Sequence, residues 1–459
     1  MSNQVPVRKG GNYTIEINSL GHSGEGVGRI DDFTVFVPYA LPGEKVAATI
    51  TEVKKNYAKG RLTAVHIPAP ARIEPKCPIY LQCGGCQLQH LEYQAQLAAK
   101  RQTVVDAVTR IAKLSDITVH PTLGATDSWY YRNKMQFPIG VAGGQVAVGC
   151  FAQGTHEIIN AEHCFIQHQD NNLVAQTVRD IIAELKITTY NEHTGQGVMR
   201  HVLGRVGTAS GEVMVVLVTA TDLLPQQDRI LALLRSRLPG LASVIQNVNT
   251  KRTNVILGEK TRKLWGQDTI TDRLGDFTFN ISARSFFQVN TAQAEVLYNK
   301  AVEYAGLSGK ETVIDAYCGT GTITLFLARQ AAKVYGIEIV EPAIRDARMN
   351  AQNNQVDNVE FMVGDAVDLM PRMFETGIQP NVIVVDPPRA GCERRVLETF
   401  VKMKPERIVY VSCNPASLAR DLAVLVEYEY VVREVQPVDM FPQTYHVESV
   451  ALIVRKTGG

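Results

Sequence analysis

Residues 408–415 read Ile-Val-Tyr-Val-Ser-Cys-Asn-Pro. An apolar strand here ends by presenting one thiol, Cys413, and Asn414-Pro415 halts it immediately behind. The thiolate is the reactive form of cysteine, so a thiol at a strand tip is a candidate nucleophile. A second group of cysteines suggests different chemistry. Cys77, Cys83 and Cys86 lie in CPIYLQCGGCQLQH, where Gly84-Gly85 allows a tight wrap. Three soft ligands at C-x5-C-x2-C spacing point to a metal. Cys164 in NAEHCFIQ is the best fourth thiolate and Cys150 the runner-up, while His90 and His163 would suit zinc. Four thiolates fit a 4Fe-4S cluster or zinc; unligated structural thiols are the third reading.

Four consecutive strands of the C-terminal part end on acids: Asp315 in IDAYCGTG, Glu338 in GIEI, Asp365 in VGD and Asp386 in VVDPPR. One strand-end acid is ordinarily a solvated or capping residue. Four in succession mark a binding edge, because ligands of open α/β sheets sit outside the carboxyl ends of the strands. Glu338 suits the hydroxyls of a ribose, and Asp365 lies where an adenine edge would fall. Gly319 and Gly321 let the backbone approach a ligand, without a full dinucleotide fingerprint or a Walker A loop. The arrangement resembles the S-adenosylmethionine-dependent methyltransferase superfamily. Beside a methyl donor, a thiol makes sense for pyrimidine C5, which is too weak a nucleophile alone. Thiolate addition at C6 puts electron density on C5, which takes the methyl; a base then removes the C5 proton and the thiol leaves. FPQTYHVE offers two bases, His446 and Glu448. Histidine has the better intrinsic pKa, and glutamate needs burial to raise its own. The residues alone leave both open.

SCNP, DPPR, FQVN and FPQTYHVE, in these positions, resemble the RNA uracil-5 methyltransferase family, which makes 5-methyluridine. The resemblance covers essentially the whole chain, since residues 1–65 resemble that family's TRAM domain. It implies Cys413 as nucleophile and Glu448 as base. It implies donor binding by Gln288, Tyr317, Glu338 and Asp386, with Asp365 at the adenine. It implies a 4Fe-4S cluster held by Cys77, Cys83, Cys86 and Cys164, structural or substrate-positioning in role because methyl transfer is not a redox reaction. Barrel and cysteine cluster together resemble the members acting on 23S rRNA; tRNA is the alternative substrate.

These groups need elements to position them. Residues 1–65 alternate and carry Gly turns, which predicts a small OB-like β-barrel. Residues 66–75 hold three prolines and read as a linker. Residues 66–285 form a central α+β domain with the cysteine cluster, whose clearest helix spans 90–114. Residues 286–459 alternate strand and helix with fully apolar strands, predicting a Rossmann-like, mostly parallel sheet. Phe286 and Phe287, ahead of Gln288, read as core, although one could stack on a base drawn out of its helix. Residues 1–285 carry 30 Lys and Arg against 24 Asp and Glu, and residues 286–459 carry 17 against 22. A polyanion is therefore expected mainly on the front half, and Lys54, Lys55, Lys59 and Arg61 would position phosphates. With no signal-like or membrane-spanning run, the eight cysteines are expected reduced in a cytoplasmic protein. RNA is the expected partner, with no obligate protein partner. Two other classes compete. Amino-group methylation of adenine or guanine would need no thiol, and a non-catalytic RNA-binding factor would have no use for Cys413, Glu448, Asp386 and Gln288.

Overall fold

The computed structural model describes residues 5–456. Strands β1 (Asn12–Leu20), β2 (Gly26–Ile30), β3 (Phe33–Val37), β4 (Lys45–Val53) and β5 (Tyr57–Ile67) close into a barrel in the order β1-β2-β3-β5-β4. Alternation fills it: Ile15, Ile17, Val35, Val37, Val46, Ala48 and Ile50 are buried inside, and their neighbours face out. The proline-rich stretch expected to be a linker is strapped to this barrel. Arg72 Nε and Nη2 donate to the two oxygens of buried Glu44 at 2.5 and 2.8 Å, and Nη2 also reaches the Tyr39 carbonyl at 2.7 Å. A carboxylate out of water needs such a cation, and that need overrides the loose reading of the prolines.

Helix α1 (Tyr93–Arg110) and the short strand β6 (Thr118–Val119) follow. Strands β7 (Lys134–Ala142), β8 (Gln145–Phe151), β9 (Ile158–Asn160), β10 (Met199–Val206), β11 (Val213–Thr219), β12 (Leu241–Val248) and β13 (Lys260–Gly266) form a mixed sheet, order β13-β12-β11-β10-β7-β8-β9. Helices α2 (Gln169–Glu184) and α3 (Gln227–Arg237) bury Val174, Val178, Ile181, Ile230 and Leu234 in its core. A hairpin of β14 (Thr269–Leu274) and β15 (Phe277–Ser282) leads onward.

The C-terminal part runs α4 (Thr291–Ala305), β16 (Thr312–Ala316), α5 (Thr322–Ala328), β17 (Lys333–Glu338), α6 (Glu341–Asn353), β18 (Val359–Val363), α7 (Ala366–Glu375) and β19 (Val382–Val385). It continues with α8 (Arg394–Met403), β20 (Arg407–Ser412), α9 (Pro415–Val426), β21 (Tyr430–Val438) and β22 (Glu448–Arg455). The strands form one sheet, order β18-β17-β16-β19-β20-β22-β21-β6, of which the first five are parallel. Strand β22 inserts antiparallel between β20 and β21. The sequence partition puts residues 93–119 in the central segment, yet they pack here. Val104, Val108 and Val119 share one core with Ile314, Ile383 and Leu418, and β6 pairs with β21. No helix among the described residues is long and apolar enough to cross a membrane.

Candidate active site and cysteine cavity

Cys413 owes its position to the way one strand hands over to one helix. Strand β20 ends at Ser412, whose hydroxyl accepts from Asn414 N and donates to Asn414 O, both at 3.1 Å. The Asn414 side chain caps α9, accepting from Ala416 N at 3.0 Å, and Pro415 opens the helix. Asn414 Nδ2 also donates to the Arg389 carbonyl at 3.0 Å, tying this elbow to the loop after Asp386. The Asn-Pro pair therefore starts a helix as well as stopping a strand.

Glu448 arrives by a different route. In the β20–β22 ladder Ser412 pairs with Ser449. Cys413 and Glu448 are the next residues beyond that last pair, and the Glu448 charge acts on the Cys413 thiol. Glu448 is buried, and burial pushes its carboxyl up to about 8, with the Asp386 charge adding to the shift and Arg389 opposing it. Asp386 itself is raised to about 6 by desolvation, although its residue as a whole is only part-buried. Burial also raises the Cys413 thiol, as do the Glu448 and Asp386 charges, while Arg389 beside it pulls the other way. His446 lies against Arg389, 3.2 Å from Nη2 to Nδ1. Burial first, then that guanidinium, lower the imidazole to about 4.

The other candidates fall along the same sheet edge. Glu338 Oε2 accepts from Gly319 N at 3.2 Å and Oε1 from Val340 N at 2.8 Å. Tyr317 holds a left-handed φ of 65°, a costly conformation for a tyrosine and one that concentrates at ligand sites. Gly319 and Gly321 share positive φ in the same loop, where glycine is free to adopt it. Gln288 is buried, its carbonyl held by Asn133 Nδ2 at 3.0 Å. Asp365 is exposed and caps α7, accepting from Val367 N at 2.9 Å. Asp315 is fully buried, with Oδ2 bonded to Thr324 Oγ1 at 2.6 Å and Oδ1 without a partner. Of the two phenylalanines, Phe287 is core and Phe286 stands 66% exposed.

Several contributors escaped the sequence reading. Arg389 touches both Cys413 and His446. The Tyr298 hydroxyl is buried between Thr322, Gln288 and the Asp386 and Glu448 charges. Ile339 and Val340 remain exposed just past Glu338, a flat apolar ledge at a strand tip. Only the last had a local signal, an apolar pair following a strand-end acid.

The loop carrying Glu448 is gripped from the cysteine side. Lys100 Nζ on α1 reaches Asp439 Oδ1 at 2.5 Å and the Phe441 carbonyl at 3.0 Å, both partners being buried. Gln96 Nε2 donates to Gln443 Oε1 at 3.0 Å, and Gln443 N donates back to Gln96 Oε1 at 3.1 Å. Gln87 N and Leu88 N, just after Cys86, both donate to the Gln443 carbonyl. Removing one member of a buried pair strands the other charge. Lys100→Met is therefore expected to lower unfolding free energy by about 3–5 kcal/mol, as read by urea denaturation.

Cys77, Cys83, Cys86, Cys150 and Cys164 all line one cavity of 420 Å³, together with His163. His90 lies outside it, its Nδ1 bonded to Tyr80 OH at 2.7 Å. Burial raises the thiols of Cys77, Cys86 and Cys164, and hydrogen bonding from Cys150 holds Cys83 near 7. Among the described residues, no three His, Cys, Asp or Glu side chains converge closely enough to hold one metal ion. The thiols share a cavity wall without meeting at a point.

Cys413, Glu448 and the Gly319–Gly321 loop thus lie at the carboxyl edge of a doubly wound sheet that a closed barrel precedes, and the comparisons with known proteins place the chain among RNA methyltransferases. The profile of the tRNA (Uracil-5-)-methyltransferase family matches residues 92–456, and that of the TRAM domain matches residues 6–63. The chain belongs to the tRNA (Uracil-5-)-methyltransferase family. It is 49% identical to an uncharacterized RNA methyltransferase of Halalkalibacterium halodurans, over 99% of both chains. It is 51% identical to another from Bacillus cereus, over 97% of both. The Pyrococcus abyssi tRNA (uracil-54, C5)-methyltransferase, solved with S-adenosyl-L-homocysteine, superposes with a TM-score of 0.77 at 30% identity, covering 96% of this chain and 99% of that one.

Proposed function

We propose that this chain transfers a methyl group from S-adenosylmethionine to C5 of uridine in 23S rRNA, through a transient bond between Cys413 Sγ and uracil C6. The observation that carries the reading is that Cys413 and Glu448 come together just past the last pair of the β20–β22 ladder, near enough for the Glu448 charge to act on the thiol. The thiolate adds to C6 and pushes the C5–C6 π pair onto C5 and the C4 carbonyl as an enolate; C5 then attacks the sulfonium methyl, releasing S-adenosylhomocysteine. Glu448 takes the C5 proton; the electrons of that C–H bond rebuild the ring double bond and expel the thiolate. What favours Glu448 over His446 is basicity. A carboxyl at about 8 holds a proton taken near neutrality, whereas an imidazole at about 4 beside Arg389 does not.

Gln288, Tyr317, Glu338 and Asp386 would hold the donor, with Asp365 at the adenine. Ile339 and Val340 support this placement by offering an apolar ledge beside the ribose acid. A sulfonium would also relieve the crowding of Asp386, Asp315 and Glu448, all carboxyls pushed up by burial. Glu338→Ala is expected to weaken S-adenosylmethionine binding by about 10- to 100-fold in calorimetry, the loss of charge-assisted hydrogen bonds. Unchanged affinity would remove Glu338 from the donor site.

Residues 1–65 would serve as the RNA-binding TRAM barrel, 66–285 would carry the cysteines, and 286–459 would be the catalytic part, against which residues 93–119 pack. The cysteine cavity fits a 4Fe-4S cluster better than zinc. Zinc needs four ligand atoms at about 2.0–2.3 Å from one point, whereas a cluster presents four separate iron corners to thiols set around a cavity. Cys77, Cys83, Cys86 and Cys164 would hold it, and its contribution there would be structural.

A second reading, tRNA uridine as substrate, is favoured by the likeness to the Pyrococcus abyssi tRNA enzyme over 96% of this chain. Barrel and cysteine domain therefore do not separate the two substrates by themselves. Nucleoside mass spectrometry of 23S rRNA and tRNA, purified from cells with and without the gene, decides. Loss of 5-methyluridine from 23S rRNA is the expected result. Loss from tRNA alone moves the substrate, and loss from neither contradicts the activity.

A further inference from the structure

The outer face of a small barrel is ordinarily polar, because its inward positions already carry the core. Strands β3 and β5 depart from that rule. Val35, Val37 and Ala58 are buried inside, so alternation turns Phe36, Tyr57 and Lys59 outward. Parallel register sets Phe36 beside Lys59, and the rings of Phe36 and Tyr57 meet edge to face at 5.5 Å between centroids. These three residues line a hollow of 570 Å³ whose far wall is Gln87 and Gln153 of the cysteine-bearing part. His22 and Phe36 line both this hollow and the 900 Å³ space that reaches Cys413, so the two adjoin across those side chains.

We infer that this hollow is a second nucleotide subsite, which takes an unpaired base of the same RNA strand flanking the target uridine. The inference rests on the uridine-methylating reading of the groove. Phe36 and Tyr57 supply the stacking platform, as aromatic faces do in single-strand-binding barrels. Lys59 lies where a backbone phosphate would follow the stacked base. Its present partner Glu52, at 3.2 Å, is a surface contact that a phosphate displaces at small cost.

The test uses a short unstructured oligoribonucleotide carrying one 2-aminopurine, whose fluorescence falls when it stacks. Wild-type protein is expected to quench it. Tyr57→Ala should lose most of the quench and bind about tenfold or more weakly, the loss of one stacked base. Its KM for RNA should rise while kcat at saturating RNA falls far less. Tyr57→Phe, which keeps the ring, should restore the quench. Cys413→Ala should quench like the wild type, so failure of the methylation chemistry leaves this result standing. A wild-type complex without quench, or a Tyr57→Ala protein with unchanged quench and KM, overturns the subsite. A thermal midpoint equal to that of the wild type shows that the variant is folded.

Discussion

Cys413→Ala is expected to abolish methylation, with a fall on the order of a millionfold, the scale seen when a covalent nucleophile is removed. The loss should be chemical and not structural. Cys413 is only half-buried, and the elbow that holds it is made by Ser412 and Asn414 rather than by the thiol. The variant should keep its melting temperature and its affinity for S-adenosylmethionine, and should give no denaturation-resistant complex with 5-fluorouridine RNA. The reason lies in the ring. Uracil C5 gains electron density only once sulfur has added at C6, so no other side chain substitutes for the bond. Amino-group methylation would survive this substitution, and an active Cys413→Ala protein would select it.

Glu448→Gln is expected to separate the two halves of the reaction. Addition and methyl transfer need the thiolate and the donor, so a covalent RNA complex should still form. Removal of the C5 proton needs the carboxylate, so breakdown should slow by about 10²- to 10⁴-fold, the usual weight of a general base. Methylated, protein-bound RNA would accumulate and be visible as a shifted band in a denaturing gel. The wild-type pH profile carries the same signature. A base must be ionised to accept a proton, and the Glu448 carboxyl sits at about 8 in the donor-free protein. After methyl transfer the sulfonium charge has gone, so the carboxyl faces this step without that cation beside it. Adduct breakdown should therefore rise with pH and level off above about 8, roughly 100-fold faster there than at pH 6. A profile that levels off near pH 4 would point to His446 instead.

What could be read along the chain was what depends on local order. Asp315, Glu338, Asp365 and Asp386 announce themselves because each stands within two residues of the end of a strand, and the structure sets those strands side by side with parallel register. The Cys413 elbow was legible for the same reason, and α1 emerged from its apolar spacing within a few residues of its expected ends. Helices α7 and α8 carry weak local signals. Helix α7 carries Pro371 in its interior, which reads as a break. Helix α8 lacks a side-chain cap and ends on Lys404 in a left-handed conformation where glycine is usual. The nearness of Cys413 to Glu448 was not legible either, because it depends on β22 inserting between β20 and β21. The clasp of Lys100 and Gln96 on the Asp439–Gln443 loop joins residues more than 300 positions apart, and no local pattern signals it. Cys164 and Cys150 likewise reach the cavity of Cys77, Cys83 and Cys86 only through the fold of the central sheet.

The most direct measurement is tandem mass spectrometry of the protein after reaction with S-adenosylmethionine and 5-fluorouridine-substituted RNA. Fluorine at C5 leaves the base no proton to remove, so the complex stalls after methyl transfer. The account predicts a methylated fluorouridine nucleotide attached to the peptide that contains Cys413, and to no other cysteine peptide. A nucleotide on a different residue, or complete methylation of ordinary RNA with no bond to protein in the fluorinated one, would contradict it.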